Sequence, residues 1–436
     1  MNKKLALFAA VGLTAALALS GCSSSSSSSS GGTQDITFLT HWGPDQVKQL
    51  KSAAASYEKS HPKTKITVQA VPFGNLLSTL RTQGSSASGP TIAGVYDLWI
   101  PELVKDGITD KAPSSVANDV TSNYSKGVVT SASQKGTVYG IPNEVDLYQL
   151  NYNKALFAAA GIAQPPTTWD ELTADAKKLA TGGHQGIGFI TNWDSGVVHP
   201  FLSLLASDGG SMLNDDGTKS ALTSAQAEET AKLYQTLVDQ KLTDTSMSTA
   251  NASTTGPYLD NFANGKTGMI IMANWWESSL QQEMGSKFSD VGTAPIPVGP
   301  SGTASSAISY SWDTIVNAHA SDAQKKAAWD FLSWLNGPDS GTGGSSEMGK
   351  ILLSMGSMPS RTSDIQANQS TLGTPFLTPY VKALDDSTPF PTVLGGQQAT
   401  DAFQKDLEAL LNGQLSAKEA MSRGDSDINS ALSAAQ

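Results

Sequence analysis

The sequence predicts an α/β fold with two lobes, and three observations lead to this class. Strand and helix signals alternate along the first half of the chain, a pattern typical of sheets layered against helices. About 400 of the 436 residues follow a serine-rich N-terminal segment, more than one hydrophobic core usually holds. Only 15% of the residues are charged, and the chain has nine tryptophans. This composition favours a compact extracellular protein over a disordered chain, and the alternation of strands and helices predicts mainly parallel sheets.

The first elements form a predicted β-α-β unit. Ile36 and Phe38 alternate with polar residues as in a half-buried strand, and apolar residues recur at helical spacing over 47–57. Pro62 ends that helix before a strand at 66–71. Further short apolar runs predict strands at 91–95 and 147–152, the second of them after a turn-rich stretch at 136–142.

Later helix starts are well specified by local sequence. Thr168 and Glu171 have capping-box spacing ahead of an apolar helical stripe. Ser321 and Gln324 have the same spacing and predict a second capped helix. Residues 268–273 read as a buried strand, and the last hundred residues as helical segments separated by Gly, Ser and Pro.

The N-terminal segment predicts export followed by lipid attachment. Lys3 and Lys4 precede an apolar run over 5–19, which has the form of a secretory signal and is too short to span a bilayer comfortably. The run leads to Leu-Ser-Gly-Cys at 19–22, and Cys22 is the single cysteine of the chain, so an internal disulfide is excluded. This segment resembles the bacterial lipobox. We therefore expect a signal peptide at 1–21 and a diacylglyceryl group, with its palmitate-type acyl chains, on Cys22.

Residues 22–33 are expected to form the lipidated N-terminus and a tether. Serines fill positions 23–30 and two glycines follow, so the segment has nothing to bury and behaves as a flexible coil. Its eleven residues after Cys22 reach roughly 18 Å on average. Two or more acyl chains anchor a protein stably. The predicted location is therefore the extracellular face of a cell membrane, in a Gram-positive-like arrangement.

The exported part is acidic and shows no metal motif. Loss of Lys3 and Lys4 with the signal peptide changes the formal charge from −11 to −13. This charge argues against nucleic acid and against an anionic membrane surface as partners. The histidines show no metal-binding spacing, and we predict neither a metal nor a cofactor. Those considered are His41, His61, His184 and His199.

Several motifs resemble the maltose-type branch of the extracellular solute-binding proteins of ABC importers, family 1. The segment YGIPNEVDLYQLNYNK at 139–154 and the segment PTTWDEL at 166–172 carry most of the resemblance. Segments at 214–217, 262–269 and 294–297 agree with it in the expected order. The resemblance implies a two-lobed, periplasmic-binding-protein-like fold, with a ligand cleft between lobes joined by crossing strands. It implies no enzymatic activity.

The same resemblance implies discontinuous lobes and a set of partners. The chain is expected to cross between the lobes three times, near 142–146, 295–298 and 337–350. Lobe I then consists of residues 34–143 and 297–340, and lobe II of residues 144–296 and 341–436. The implied ligand is a small carbohydrate, most simply an oligosaccharide, which cleft closure presents to the membrane permease of an ABC transporter. The membrane is a partner only through the lipid anchor, and the protein is expected to be a monomer.

Candidate ligand-binding residues follow predicted strands or lie on crossing segments. Sugars present apolar C–H faces and a rim of hydroxyls, so their sites combine aromatic surfaces with carboxylates, amides and arginine. The candidates are His41, Trp42, Asp97, Glu144, Asp146, Trp193, Trp275, Trp276, Trp312, Asp313 and Arg361. By contrast, Trp169, Trp329 and Trp334 lie on amphipathic helices and are expected in the core, while Trp99 fits either role.

Simpler roles stay open for some candidates. Trp42 can serve local packing in a turn, Asp97 can be a helix N-cap, and Arg361 can be a solvated surface residue. One of two adjacent tryptophans usually packs inward, and Trp275 is preferred over Trp276 as the ligand platform.

The acidic pair on the crossing segment has two interpretations. Glu144 and Asp146 would point to one face of an extended chain, and alignment on the family motif places Asp146 where maltose-type proteins carry a sugar-contacting acid. The pair could also be a glycosidase acid and nucleophile, although nothing else indicates hydrolysis. A lipid-anchored adhesin, or a receptor for a polyol, a glycerophosphodiester or a peptide, completes the alternatives.

Overall fold

The structure is a computed structural model that describes residues 32–193, 196–250 and 256–436. The predicted signal peptide, Cys22 and most of the tether lie outside the described residues. None of the helices within these ranges combines the length and the apolar character that a membrane crossing requires.

Twelve strands are present in the described ranges, and ten of them belong to one continuous sheet. They are β1 (Gln34–Thr40), β2 (Thr64–Ala70), β3 (Ile92–Tyr96), β4 (Ser133–Gln134), β5 (Thr137–Val138), β6 (Gly140–Asn153), β7 (Gln185–Gly188), β8 (Thr267–Ala273), β9 (Val291–Ala294), β10 (Ile308–Val316), β11 (Met358–Pro359) and β12 (Thr388–Pro389).

Helices pack against this sheet and make up most of the C-terminal part. They are α1 (Pro44–Ser60), α2 (Phe73–Gln83), α3 (Ile100–Lys105), α4 (Ser114–Asn123), α5 (Lys126–Ser131), α6 (Lys154–Ala159), α7 (Trp169–Thr181), α8 (Val198–Ser207), α9 (Ala225–Asp239), α10 (Gly256–Ala263), α11 (Glu277–Met284), α12 (Asp322–Leu335), α13 (Glu347–Ser354), α14 (Thr362–Ala367), α15 (Gln369–Leu372), α16 (Thr378–Ala383), α17 (Gly396–Leu411) and α18 (Ala417–Ala435).

The long strand β6 joins two parts of the sheet. The main strand order is β2-β1-β3-β10-β6-β8-β7. Residues 140–147 of β6 pair with β10, whereas residues 148–153 pair with β8 and β9. The chain therefore passes from one part of the sheet to the other within a single strand.

The pairing is mixed, which corrects the expectation of mainly parallel sheets. The outer pairs β1–β2, β1–β3 and β7–β8 are parallel. In contrast, β10 is antiparallel to β3 and β6, and β6 is also antiparallel to β8 and β9. A chain that leaves one part of the sheet along β6 and returns beside it runs in the opposite direction. The antiparallel pairs are therefore concentrated at the centre.

Local signals in the sequence set the helix starts as predicted. Thr168 and Glu171 form a capping box at the start of α7, and Ser321 and Gln324 form another at the start of α12. Each box pairs backbone N–H groups that no carbonyl of the helix can reach. The strand predicted at 147–152 is longer than expected, because pairing with β10 continues it back to Gly140.

The core tryptophans were largely predicted from helical periodicity. Trp169 and Trp329 are buried on α7 and α12, as expected. Trp334 is half-buried and packs against Tyr57 at 5.3 Å between ring centroids. It therefore covers the edge of the core rather than filling its interior.

Candidate functional site

A cavity of about 530 Å³ opens where the two parts of the sheet meet on β6. This volume lies within the range of small-molecule sites in proteins. Its walls come from the ends of β1, β3 and β8, from β6 and β10, and from α2, α8, α11 and α17. Many of the residues that line it are aromatic, among them Trp42, Trp99, Trp193, Trp275, Tyr310 and Trp312.

Strand alternation brings the acidic pair and two aromatic rings to one face. Glu144 lies directly opposite Trp312 across the β6–β10 pair, and Asp146 lies opposite Tyr310. Alternate residues of a strand share a face, so the four side chains form one surface. The two carboxyl groups form the floor of the cavity, the Trp312 ring belongs to a wall beside it, and all four residues line the cavity.

Trp312 is the centre of an aromatic wall. Its ring lies 4.1 Å from the ring of His41 and 5.8 Å from that of Tyr96, measured between centroids. Phe73 and Trp99 each lie 5.9 Å away with their planes strongly inclined. Such tilted and edge-to-face arrangements are the favoured geometries of aromatic pairs, so the rings of this wall hold one another in place.

A second aromatic wall is built from the end of β8. Trp275 lies 5.6 Å from Trp193 between centroids, and its Nε1 donates a 2.7 Å hydrogen bond to the Tyr310 hydroxyl. Trp276 is only 2% exposed, packs against Tyr258 at 5.4 Å and does not line the cavity. The structure therefore places Trp275 on the cavity and Trp276 in the core. This is the arrangement that the sequence analysis preferred.

The carboxyl groups of the floor are buried and held in place. Nδ2 of Asn274 donates a 2.7 Å hydrogen bond to Oδ1 of Asp146, whereas Oδ2 of Asp146 has no hydrogen-bond partner among the described residues. Burial raises the pKa of Asp146 well above its usual value, and the charge of Glu144 raises it further. Burial also raises the pKa of Glu144. In both groups burial therefore opposes the charged form.

Asp97 and Asp313 do not line the cavity, contrary to their expected positions. Both are buried behind the floor, where Asp97 accepts a 2.8 Å hydrogen bond from the Ser311 N–H and Asp313 accepts one of 3.1 Å from its hydroxyl. Asp313 follows Trp312 on the strand and so points to the opposite face. Burial raises the pKa of Asp97 to about 7. Its carboxylate caps no helix, because it bonds to the neighbouring strand instead.

Arg361 is also away from the cavity. Its guanidinium donates to both carboxylate oxygens of Asp119, at 2.6 and 2.9 Å, and lies over the Tyr124 ring at 5.4 Å. Only 8% of its side chain is exposed. This arrangement corrects both expectations for Arg361, since it is neither beside the cavity nor a solvated surface residue.

We expect Arg361→Met to affect stability and not ligand binding. Loss of the paired hydrogen bonds to Asp119 should lower the free energy of unfolding by about 1–3 kcal/mol, measured by urea denaturation. Asp119→Asn leaves the guanidinium, which is only 8% exposed, without its counter-charge, and should cost at least as much. An Arg361→Met protein with unchanged stability and weakened ligand binding would contradict this role.

The sequence did not reveal several residues that line the cavity. His199 on α8 stacks on Tyr148 at 4.9 Å, and a 3.2 Å hydrogen bond joins its Nε2 to the Tyr96 hydroxyl. Trp99, which fitted either role, lines the cavity and donates a 3.1 Å hydrogen bond to Gln397 on α17. Tyr148 could have been found from its alternation with Glu144 and Asp146. Gln397 lies almost 300 residues from Trp99, so no local signal connects them.

His41 and Trp42 line the cavity directly after β1. Burial lowers the pKa of His41 to about 4, so its ring is neutral at neutral pH. Its Nδ1 has no hydrogen-bond partner among the described residues. Among all the residues that the structure describes, no group of three or more His, Cys, Asp or Glu side chains has the geometry of a metal site.

Comparisons with known proteins agree with this architecture. Residues 43–342 match the profile of a family described as bacterial extracellular solute-binding protein. A protein of Brucella abortus, named only as a binding protein, is 28% identical over 325 residues, which cover 74% of this chain and 76% of the relative. The galactooligosaccharide-binding protein of Bacillus subtilis is 28% identical over 214 residues, or 48% of each chain.

A solved structure extends the likeness to the fold. The cyclic alpha-maltosyl-1,6-maltose binding protein of Arthrobacter globiformis superposes with a TM-score of 0.77 at 24% identity, over 92% of this chain and 99% of that one. The predicted two-lobed α/β fold is therefore confirmed. The residue bounds assigned to each lobe stay a prediction.

Proposed function

Because the chain belongs to the bacterial extracellular solute-binding protein family, we propose that it is a receptor for an oligosaccharide, which it delivers to the permease of an ABC transporter. It binds its solute without chemical conversion. The observation that carries this proposal is the cavity of about 530 Å³, with Trp312 and Trp275 on two of its walls and the carboxyl groups of Glu144 and Asp146 on its floor.

The cavity lining matches both the apolar faces and the hydroxyl groups of a sugar. Indole faces match the apolar C–H surfaces of a pyranose ring, and carboxylates accept hydrogen bonds from its hydroxyls. Two similar proteins point the same way, since one is named for binding a galactooligosaccharide and the other for binding a cyclic maltose derivative. Glu144, Asp146, His41, Trp42, Trp193, Trp275 and Trp312 are the proposed contacts among the residues expected from the sequence.

Delivery is proposed to depend on closure of the two lobes around the solute. Three hydrogen bonds support this idea, because each joins a residue of predicted lobe I to one of predicted lobe II. They are Trp99–Gln397, Tyr96–His199 and Tyr310–Trp275. A solute that contacts both lobes adds to these bonds and so stabilises the closed arrangement. A permease then distinguishes the closed from the open form.

The proposal includes a lipid anchor at Cys22, which keeps a monomeric receptor beside its permease on the outer face of the membrane. Cys22→Ala should release the protein into the culture medium, because the anchoring acyl chains can no longer be attached. Fractionation of cells and medium measures this, and Ser23→Ala is the matched control that should stay at the membrane. Membrane retention of Cys22→Ala, or an unmodified Cys22 in the wild type by mass spectrometry, would contradict the anchor.

A thermal-shift screen tests the proposed function. Neutral, acidic and amino saccharides, polyols, glycerophosphodiesters and short peptides would each be added to the chain without residues 1–21. A ligand at 100 times its Kd stabilises the folded state by about 2.7 kcal/mol, and we expect this for saccharides. Chromatography of the ligands after incubation should show no hydrolysis. Stabilisation only by a non-sugar solute, affinity only for a polymer, or turnover of a glycoside would each overturn the proposal.

A further inference from the structure

The charge of the cavity lining is one-sided. Three carboxyl groups line it, those of Glu144, Asp146 and Asp401, and none of the described lining residues is Lys or Arg. The two histidines do not compensate, because burial lowers the pKa of His41 to about 4 and that of His199 to about 3. At neutral pH the cavity therefore contains buried acidic groups and no cationic side chain.

One acidic oxygen at the floor of the cavity lacks a hydrogen-bond donor. Asp146 is 1% exposed, its Oδ1 accepts from Asn274, and its Oδ2 accepts from no N–H or O–H group of the described residues, its nearest polar neighbour being the Glu144 carboxyl group. A buried polar atom of this kind carries a desolvation cost that a suitable donor removes. Glu144 lies two residues away on the same face of β6. The two groups together offer a strong acceptor site to a ligand.

The aromatic walls favour the same kind of ligand as the carboxyl groups do. Trp42, Trp99, Trp275 and Trp312 line the cavity around this floor. The faces of aromatic rings are electron-rich and attract cations, most strongly when the site is desolvated. A neutral sugar uses these faces only through its C–H groups, whereas a cationic sugar uses both the faces and the acidic floor.

We propose that the solute is a saccharide that carries a protonated amine, and that its ammonium group lies against Glu144 and Asp146. This inference rests on the proposed function and names the substrate class of the same site. Uronates and sugar phosphates are excluded, because the lining offers them no cationic partner. The ammonium supplies three N–H donors, enough for the unpartnered Oδ2 of Asp146 and for the Glu144 carboxylate.

Binding of an amine is then linked to the charge of the acidic pair. An ammonium group favours the charged form of a nearby carboxyl group, whereas burial opposes that form in Glu144 and Asp146. Affinity for the amine should therefore rise with pH as these carboxyl groups lose their protons, until the amine itself deprotonates. The titratable neighbours are Tyr148, Tyr310 and Asp97; burial raises the pKa of each. The two tyrosines stay neutral throughout.

Titration calorimetry with matched saccharides tests the inference. Each set of mono- and disaccharides carries a hydroxyl, an amine or a carboxylate at one position: glucose, glucosamine and glucuronate, and cellobiose, its diamino analogue and its uronate. We expect at least one amine to bind tenfold or more tightly than its hydroxyl counterpart, with the carboxylate weakest. Titrations in phosphate at pH 5, 6 and 7 should show that the affinity for the amine rises with pH while that for the hydroxyl does not.

Variants locate the effect within the cavity. Glu144→Gln and Asp146→Asn should each lower the preference for amine over hydroxyl about tenfold and reduce its rise with pH. Glu277→Gln is the control, because Glu277 is a buried carboxyl that does not line the cavity, and it should change neither property. Hydroxyl members that bind as tightly as amines in every set would overturn the inference and leave the proposed function intact. Absence of binding by every saccharide would overturn both.

Discussion

Trp169→Ala is expected to lower the free energy of unfolding by about 3–5 kcal/mol, the range for removal of a large aromatic side chain from a core. Trp169 is 6% exposed at the first position of α7. Its Nε1 donates a 3.1 Å hydrogen bond to the carbonyl of Pro297, and its backbone N–H donates to that of Val298. The substitution therefore leaves a cavity and also breaks a connection between α7 and the segment after β9.

Urea denaturation followed by circular dichroism measures this loss. Trp334→Ala is the matched control, because Trp334 is half-buried and should cost distinctly less. Ligand affinity should stay within about twofold of the wild type for any Trp169→Ala protein that remains folded, since Trp169 does not line the cavity. Wild-type stability of Trp169→Ala would contradict its position in the core.

Asp146→Asn is expected to weaken binding of the solute by about 2 kcal/mol, close to 30-fold in Kd, because a hydrogen bond to a charged group contributes about 1.5–3 kcal/mol. The asparagine keeps the shape of the side chain and an oxygen for Asn274. The folded protein also loses a carboxyl group whose burial is costly, so its melting temperature should change little. Titration calorimetry with the tightest-binding saccharide measures the affinity.

Asp313→Asn is the matched control for this substitution. Asp313 is equally buried and lies on the adjacent strand, but its side chain points away from the cavity. It should therefore leave the affinity within about twofold. Equal losses of affinity in the two variants would mean that burial of a charge near the cleft matters, and that direct contact with Asp146 does not.

Local patterns predicted the strands β1, β2, β3 and β8 and the helices α1, α7 and α12, whereas tertiary pairing decided the extent of β6. The capping boxes before α7 and α12 could be found because their atoms lie within one helical turn. The length of β6 could not, because Gly140 and Pro142 are turn residues in isolation and become strand only when β10 pairs with them. The antiparallel centre of the sheet has the same origin, since it depends on where the chain returns.

The position of a side chain on the cavity could be predicted where its direction follows from strand alternation. Glu144 and Asp146 were placed on one face by their spacing, and both line the cavity. The same rule, applied to β10, would have separated Trp312 from Asp313. Arg361 was placed by resemblance alone, and its bond to Asp119, more than 200 residues away, depends on packing that no local pattern records.

A crystal structure of the chain without residues 1–21, grown with the tightest-binding saccharide of the screen, tests the central claim most directly. The account predicts sugar density in the cavity on β6, with a pyranose ring against Trp312 or Trp275 and a polar group of the ligand within hydrogen-bond distance of Asp146. Density only in the separate cavity of about 310 Å³ lined by Met212 and Phe390, or on the outer surface, would contradict it.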